Sequence, residues 1–188
     1  MRYILASKSP RRKELLANIV EKFDILTKEV DESLPSEIHP REGVEILAIR
    51  KGEAVALENP DALVISSDTL VEIGGTPLGK PSDEEDAKAM LRRLSGKAHN
   101  VHTGVAVHYN GRVYSGVDST AVYFKEMSEL EIEEYVKSGD PMDKAGSYGI
   151  QSGGGKFVER IEGDYDTVVG LSVSLTQKLI DEAKNDKN

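Results

Sequence analysis

Residues 5 to 16 read Leu-Ala-Ser-Lys-Ser-Pro-Arg-Arg-Lys-Glu-Leu-Leu, a run that sets a hydroxyl and two guanidiniums at the start of a helix. Pro10 suits the first helical position, where a missing N–H costs nothing, and Ser9 suits the cap before it. The Ser7 hydroxyl, the paired Arg11 and Arg12 and the unpaired N–H groups of a helix N-terminus together suit an anion, phosphate above all. An Arg pair alone reads as a solvated basic turn. This turn follows the apolar strand Tyr3-Ile4-Leu5-Ala6, and α/β sheets hold ligands at such strand ends, so phosphate is favoured.

Asp68 follows the apolar run Ala62-Leu63-Val64-Ile65-Ser66-Ser67, at the expected carboxyl end of a central strand. A carboxylate there can orient a divalent cation or take a proton from water. The residue taken alone fits an Asx turn closing the strand equally well. Thr69 beside it can bond a ligand or continue the strand. Lys51 falls on the apolar stripe of a predicted helix, either as a snorkelling stem or as an amine pointing into a cleft. Lys80 lies in the constrained connector Gly79-Lys80-Pro81. Gln151 ends a Gly- and Asp-rich stretch from Gly139, and its amide can complement the acceptor and donor edge of a uracil or thymine ring.

Other patterns carry less. His99 and His102 lie on a predicted strand without partners at metal spacing, which points to structural or solvated roles. Gly153-Gly154-Gly155-Lys156 lacks the spacing and the following Ser or Thr of a phosphate-binding P-loop.

The elements that position these residues alternate along the chain. A short strand is expected near Phe23 to Thr27 and a helix from Arg41 to Glu58 with Val44, Leu47, Ala48, Ala54 and Val55 inward. Gly74-Gly75 and Asn110-Gly111 mark hairpins. Ser82-Asp83-Glu84-Glu85 and Ser128 with Glu131 read as capping boxes, and Gly96 and Gly139 as helix stops. A structureless loop is expected over Asp140 to Gly155, then a strand near Val168-Val169, an amphipathic helix through Leu175, Leu179, Ile180 and Ala183, and a frayed tail over 184–188. The expected fold is α/β with a mixed sheet, one domain of two lobes around a cleft, with no lobe boundary visible in the sequence.

The chain has 188 residues, 38% hydrophobic and 30% charged, and no apolar run of membrane-spanning length. Its net charge of −9 opposes non-specific nucleic-acid binding, and the absence of cysteine removes thiolate chemistry and fits a cytoplasmic protein.

Taken together, Ala6-Ser7-Lys8-Ser9-Pro10-Arg11-Arg12, Ser67-Asp68-Thr69, Gly79-Lys80-Pro81, Leu94-Ser95-Gly96, Ser138-Gly139-Asp140-Pro141 through Gly149-Ile150-Gln151, and Val169-Gly170-Leu171 resemble the Maf family of nucleoside triphosphate pyrophosphatases. The resemblance runs from residue 3 to about residue 180 with every motif in order. Two departures stand out: Ser152 where the family usually has glycine, and Ser172 where it usually has proline.

The resemblance implies a cytoplasmic, divalent-metal-dependent homodimer that cleaves nucleoside triphosphates between the α- and β-phosphates, limiting particular nucleotides. It also implies an elongated mixed sheet like that of inosine triphosphate pyrophosphatases. Asp68 then matches the catalytic carboxylate, which either activates water or holds a water at the metal (Mg²⁺ or Mn²⁺). Ser7, Arg11, Arg12, Lys51 and Lys80 match the triphosphate set, and Glu32 matches an acidic residue near the metal. Arg11, Thr69 and Gln151 match the positions that separate the family's branches, here resembling the branch acting on dTTP and UTP. Two rivals remain: the same cleavage on 7-methyl-GTP or another modified nucleotide, and a nucleotide-binding regulator of septum formation. Pyrophosphate release, and from which base, separates all three.

Overall fold

A computed structural model describes residues 1–186. The strands are β1 (Arg2–Leu5), β2 (Asp24–Ile25), β3 (Ala62–Ile73), β4 (Thr76–Leu78), β5 (Ala98–Tyr109), β6 (Arg112–Phe124) and β7 (Val158–Glu162). They form one mixed sheet of order β2-β1-β3-β5-β6-β7, with β4 paired to β3. β1 runs parallel to both β2 and β3, whereas β3–β4 and β6–β7 are antiparallel. The helices are α1 (Pro10–Leu16), α2 (Pro40–Ala56), α3 (Glu84–Leu94), α4 (Glu129–Lys137), α5 (Tyr165–Val169) and α6 (Val173–Asn185). Among the described residues no helix is long and apolar enough to cross a membrane. Contacts divide the chain into two compact units.

The first unit comprises Met1–Thr69, Thr103–Asp118 and the chain from Gly170 onward. Its strand order β2-β1-β3 follows from two connections that run in opposite directions: α1 leads from β1 to β2 on one side, and α2 leads from β2 back past β1 to β3 on the other. Strand β1 thus marks a switch point, the place where open parallel sheets bind ligands beyond their carboxyl ends. Strand β2 is two residues long rather than the five expected, because its side chains stay exposed and only its pairing to β1 defines it. Helix α2 buries Val44, Ala48, Gly52 and Val55 against the sheet, while Leu47 and Ala54 are only half-buried. The buried Ser66 hydroxyl of β3 donates to the Ala48 carbonyl at 2.6 Å, locking helix to strand.

Helix α6 starts at Ser172, whose hydroxyl accepts from the Leu175 N–H and donates to Asp118. The Ser172 hydroxyl is therefore a working cap. Lys184 and Asn185, expected to fray, are the last residues of α6. Asp186 accepts from the Tyr114 hydroxyl at 2.6 Å and pairs with Arg112, which extends order beyond the apolar pattern. Lys187 and Asn188, the rest of that expected tail, lie outside the described residues.

The second unit comprises Leu70–His102 and Ser119–Val169. Its core joins Leu91 and Leu94 of α3, Ile132 and Val136 of α4, Val122 and Phe124 of β6, and Tyr148 and Phe157. Ser128 and Glu131 form the complete capping box of α4. The cap of α3 falls one residue later than expected: Asp83 accepts from the Asp86 N–H, and Ser82 instead bonds the Asp86 carboxylate. Three short 3-10 turns, Asp140–Asp143, Ala145–Ser147 and Gly153–Phe157, order the stretch expected to lack structure.

Val168-Val169 is the end of helix α5 rather than a strand, and the strand is β7 instead. Register slips between Tyr123 and Phe124, so Val158 pairs with Phe124 while Arg160 pairs with Tyr123, leaving Glu159 as the extra residue. That bulge lets Val158 and Ile161, three apart, both pack on the core, and it erases the period-two pattern that would have marked the strand.

His99 and His102 are buried, so neither is solvated. His102 bridges Glu72 and Ser119, while His99 Nε2 bonds the Tyr148 hydroxyl at 2.7 Å and its Nδ1 has no partner among the described residues. Burial depresses the His99 pKa from its ordinary 6.5 to about 4. The native state therefore binds fewer protons than the unfolded chain between those values, and stability falls as pH drops through that window. A loss on the order of 3 kcal/mol is expected between pH 6.5 and 4. His99→Phe should flatten that part of the curve in urea unfolding followed across pH, and an unchanged slope would refute the assignment.

Candidate active site

The turn after β1 forms as its sequence dictates. Pro10 opens α1, and the Ser9 hydroxyl accepts from the Arg12 N–H at 3.3 Å. Ser7, buried at the end of β1, has its hydroxyl within reach of the Ser9 N–H at 3.2 Å and Arg12 Nη1 at 3.4 Å. The Arg12 guanidinium spans the site. Nε donates to the Gly170 carbonyl at 2.8 Å and Nη2 to Thr69 Oγ1 at 3.1 Å. Desolvation lowers the Arg12 pKa and neighbouring Arg11 lowers it further, while Asp68 and Glu32 raise it. An arginine stays protonated under such pressures, so a fixed positive charge is held here on a half-buried side chain. Arg11 is half-buried in the first turn of α1.

Strand β3 supplies the carboxylate. Pairing with β1 ends at Leu5 opposite Ile65, with the Ala6 N–H reaching the Ile65 carbonyl. Strand β3 continues to Ile73, so Asp68 lies within a strand rather than at its end. The expectation fails because the continuing run turns partly exposed at Asp68, which resembles a strand end in sequence. Asp68 nonetheless lies just past the end of the parallel pairing, where β1 has turned away into α1.

Lys51 of α2 donates to Asp68 Oδ1 at 2.6 Å and lies 3.3 Å from Glu32 Oε1. The lysine on the inward stripe is therefore an amine engaged at the site and not a snorkelling stem. The Asp68 side chain is 15% exposed and that of Glu32 59%, which sets Asp68 inside and Glu32 on the rim. A concavity of roughly 470 Å³ opens here, lined by Ser7, Arg12, Lys51 and Glu32 together with Lys8 and Lys28.

Ser7, Arg12, Glu32, Lys51, Asp68 and Thr69 are thus gathered in the first unit. Lys80 and Gln151 belong to the second, where both are exposed; the Gly146 N–H bonds the Gly79 carbonyl, tying the loop that leads to Gln151 to the connector bearing Lys80. Sequence reasoning missed Gly170 as a site residue. Its carbonyl accepts from Arg12 Nε and Ser67 Oγ, aimed by a backbone φ of +135° that glycine tolerates. The Val-Gly-Leu motif was its visible trace. Thr103 was missed as well; its hydroxyl meets that of Thr69 at 3.0 Å.

The carboxylates present would suit a hard divalent cation, Mg²⁺ or Mn²⁺, completed by ligands from substrate and water. Among the described residues no group of three or more His, Cys, Asp or Glu is placed to hold a metal. Glu32 and Asp68 converge on one ammonium, and two carboxylates completed by substrate phosphate oxygens and water are what Mg²⁺ ordinarily takes.

Residues 2–183 match the family described as Maf-like protein. Among curated relatives, the dTTP/UTP pyrophosphatase of Bacillus velezensis is 47% identical over 96% of both chains. Its namesake in a Geobacillus species is 49% identical over 92% of this chain and 93% of that one. The solved Staphylococcus aureus Ham1 protein shares the fold at a TM-score of 0.50 and 15% identity, over 66% of this chain and 72% of that one. On the strength of a match spanning nearly its whole length, the chain belongs to the Maf family.

Proposed function

We infer that this protein is a nucleoside triphosphate pyrophosphatase that hydrolyses dTTP and UTP to the monophosphate and pyrophosphate, limiting those nucleotides in a cytoplasmic pool. The observation that carries this reading is the Lys51–Asp68 pair at 2.6 Å beside the Arg12 guanidinium, at a sheet switch point. Relatives named dTTP/UTP pyrophosphatase, at 47–49% identity, support the substrate class.

Phosphoryl transfer chiefly needs positioning and cancellation of accumulating charge. Arg12, Arg11 and Lys80 are assigned to the phosphate oxygens, with Ser7 donating its hydroxyl. Asp68, oriented by Lys51 through Oδ1, takes the proton shed by the attacking water. The water oxygen bonds to the α-phosphorus as the α–β anhydride breaks, and pyrophosphate leaves with the bonding electron pair. A divalent cation held by Glu32 and Asp68 would neutralise phosphate charge. Gln151 is assigned to the pyrimidine edge, with Thr69 and Arg11 as the other selectivity positions.

The test is a panel of nucleoside triphosphates with Mg²⁺ or Mn²⁺ and a chelated control, assayed for pyrophosphate and monophosphate. Preferential release from dTTP and UTP is expected, with Gln151→Ala lowering their kcat/KM about 10- to 100-fold, the loss of one or two hydrogen bonds. Preference for a guanine nucleotide would overturn the base assignment. Nucleotide binding without any pyrophosphate release would favour the septum regulator. Light scattering on the same sample tests the homodimer.

A further inference from the structure

The exposed turn bearing Gln151 is tethered on both sides to a single carboxylate. Tyr135, buried in the last turns of α4, donates its hydroxyl to Asp140 Oδ2 at 2.5 Å and accepts from the Gly149 N–H at 3.1 Å. Ser152 Oγ donates to that same Asp140 oxygen at 2.7 Å. Between Gly149 and Ser152 stand only Ile150 and Gln151, and Ile150 packs onto the core of the second unit. The Ser152 N–H closes the turn onto the Gly149 carbonyl at 3.2 Å.

The carboxylate is itself anchored. Asp140 Oδ1 accepts from Lys144 Nζ at 3.0 Å, and Nζ also holds the Asp140 carbonyl at 2.7 Å and Asp143 at 2.8 Å. Burial works against Asp140 ionising, but hydrogen bonds from Tyr135, Ser152 and Lys144 outweigh it and hold its pKa below the usual range. A charged acceptor binds its donors more strongly than a neutral one. Among the described residues nothing holds the amide of Gln151, so the placement of that side chain is inherited from its neighbours.

We propose that Asp140, with Tyr135 and Ser152, is the device that positions Gln151 for base selection. A glycine at position 152 would have no hydroxyl to offer Asp140. The inference rests on the reading of Gln151 as the pyrimidine contact. The three are positioning residues that act through the backbone on either side of Gln151. A preorganised contact costs less entropy to make on binding, so loosening it acts on KM and on the choice of base more than on the chemical step.

The experiment measures kcat and KM for dTTP, UTP and GTP in Ser152→Gly, Asp140→Asn and Gln151→Ala, plus the double variant Ser152→Gly with Gln151→Ala. Exchange of the Gly149 amide is followed in each. Ser152→Gly, at an exposed position, should raise KM for dTTP 3- to 10-fold with kcat within 2-fold of the parent. Asp140→Asn should do more and should speed Gly149 exchange. Once Gln151 is alanine, Ser152→Gly should change nothing further. Should Gln151→Ala shift selectivity while Ser152→Gly and Asp140→Asn leave KM alone, the positioning role is refuted and the Gln151 reading stands. Should Gln151→Ala itself leave selectivity unchanged, both fail together. A fall in kcat equal for all three nucleotides would mark Asp140 as merely structural and also refute the proposal.

Discussion

Asp68→Asn is expected to lower kcat by about 10²- to 10⁴-fold, the usual weight of a general base, while leaving nucleotide affinity within a few-fold of the parent. The substitution keeps size and shape, so the neighbouring Lys51 loses a charge partner but not an acceptor: the amide oxygen can still take the bond now made at 2.6 Å. Arg12 keeps its contacts with Ser7, Thr69 and Gly170, so the phosphate role proposed for it should be left intact. What the amide cannot do is take a proton. Steady-state kinetics beside equilibrium titration with a non-hydrolysable nucleotide separates the two effects. A variant with near-normal kcat would remove Asp68 from the mechanism.

Gly104→Ala should be the most damaging single methyl group in the first unit. A Cβ there would sit 2.3 Å from the Val44 carbonyl oxygen, a backbone atom of α2 that cannot turn aside. About 3 kcal/mol of destabilisation, or more, is expected from such overpacking. Gly52→Ala sharpens the point by reversing a sign. Alanine in a helix interior normally gains about 1 kcal/mol over glycine. Here the new Cβ would lie 2.4 Å from Ser66 Oγ and 2.6 Å from His108 Nδ1, and Ser66 is already committed to the Ala48 carbonyl. Net destabilisation of roughly 1–3 kcal/mol follows.

Both glycines let α2 lie close on the sheet, and that closeness holds Lys51 against Asp68. Activity measured well below either variant's melting temperature should therefore still fall, since folded molecules would carry a displaced Lys51. Urea unfolding and kinetics at low temperature provide the check. A Gly52→Ala protein more stable than its parent would show that the helix can give way.

Much of this was legible because it is local. The Ser9–Pro10 start of α1, the Ser128–Glu131 box and the Asn110–Gly111 turn all depend on bonds or backbone angles within four residues, so residue type alone dictates them. The α/β alternation and the burial of β3 were readable for the same reason: period and apolar run length are properties of a short window. Where reading failed, a neighbour distant in sequence decided. Val168-Val169 has strand propensity but ends a helix, and β7 was hidden by a bulge that exists only against β6.

Chemistry divides along the same line. Residue types and order determined which side chains are available: the hydroxyl and guanidiniums after β1, the carboxylate in β3, the amine on the inner face of α2. Only the tertiary structure decided which of them meet. Arg12 reaches a carbonyl 158 residues away, and Lys51 selects Asp68 and Glu32 as partners only because two glycines bring its helix down to the sheet. No window of sequence holds both ends of such contacts. Their distances follow from how closely packed elements can approach, which is settled when the core forms.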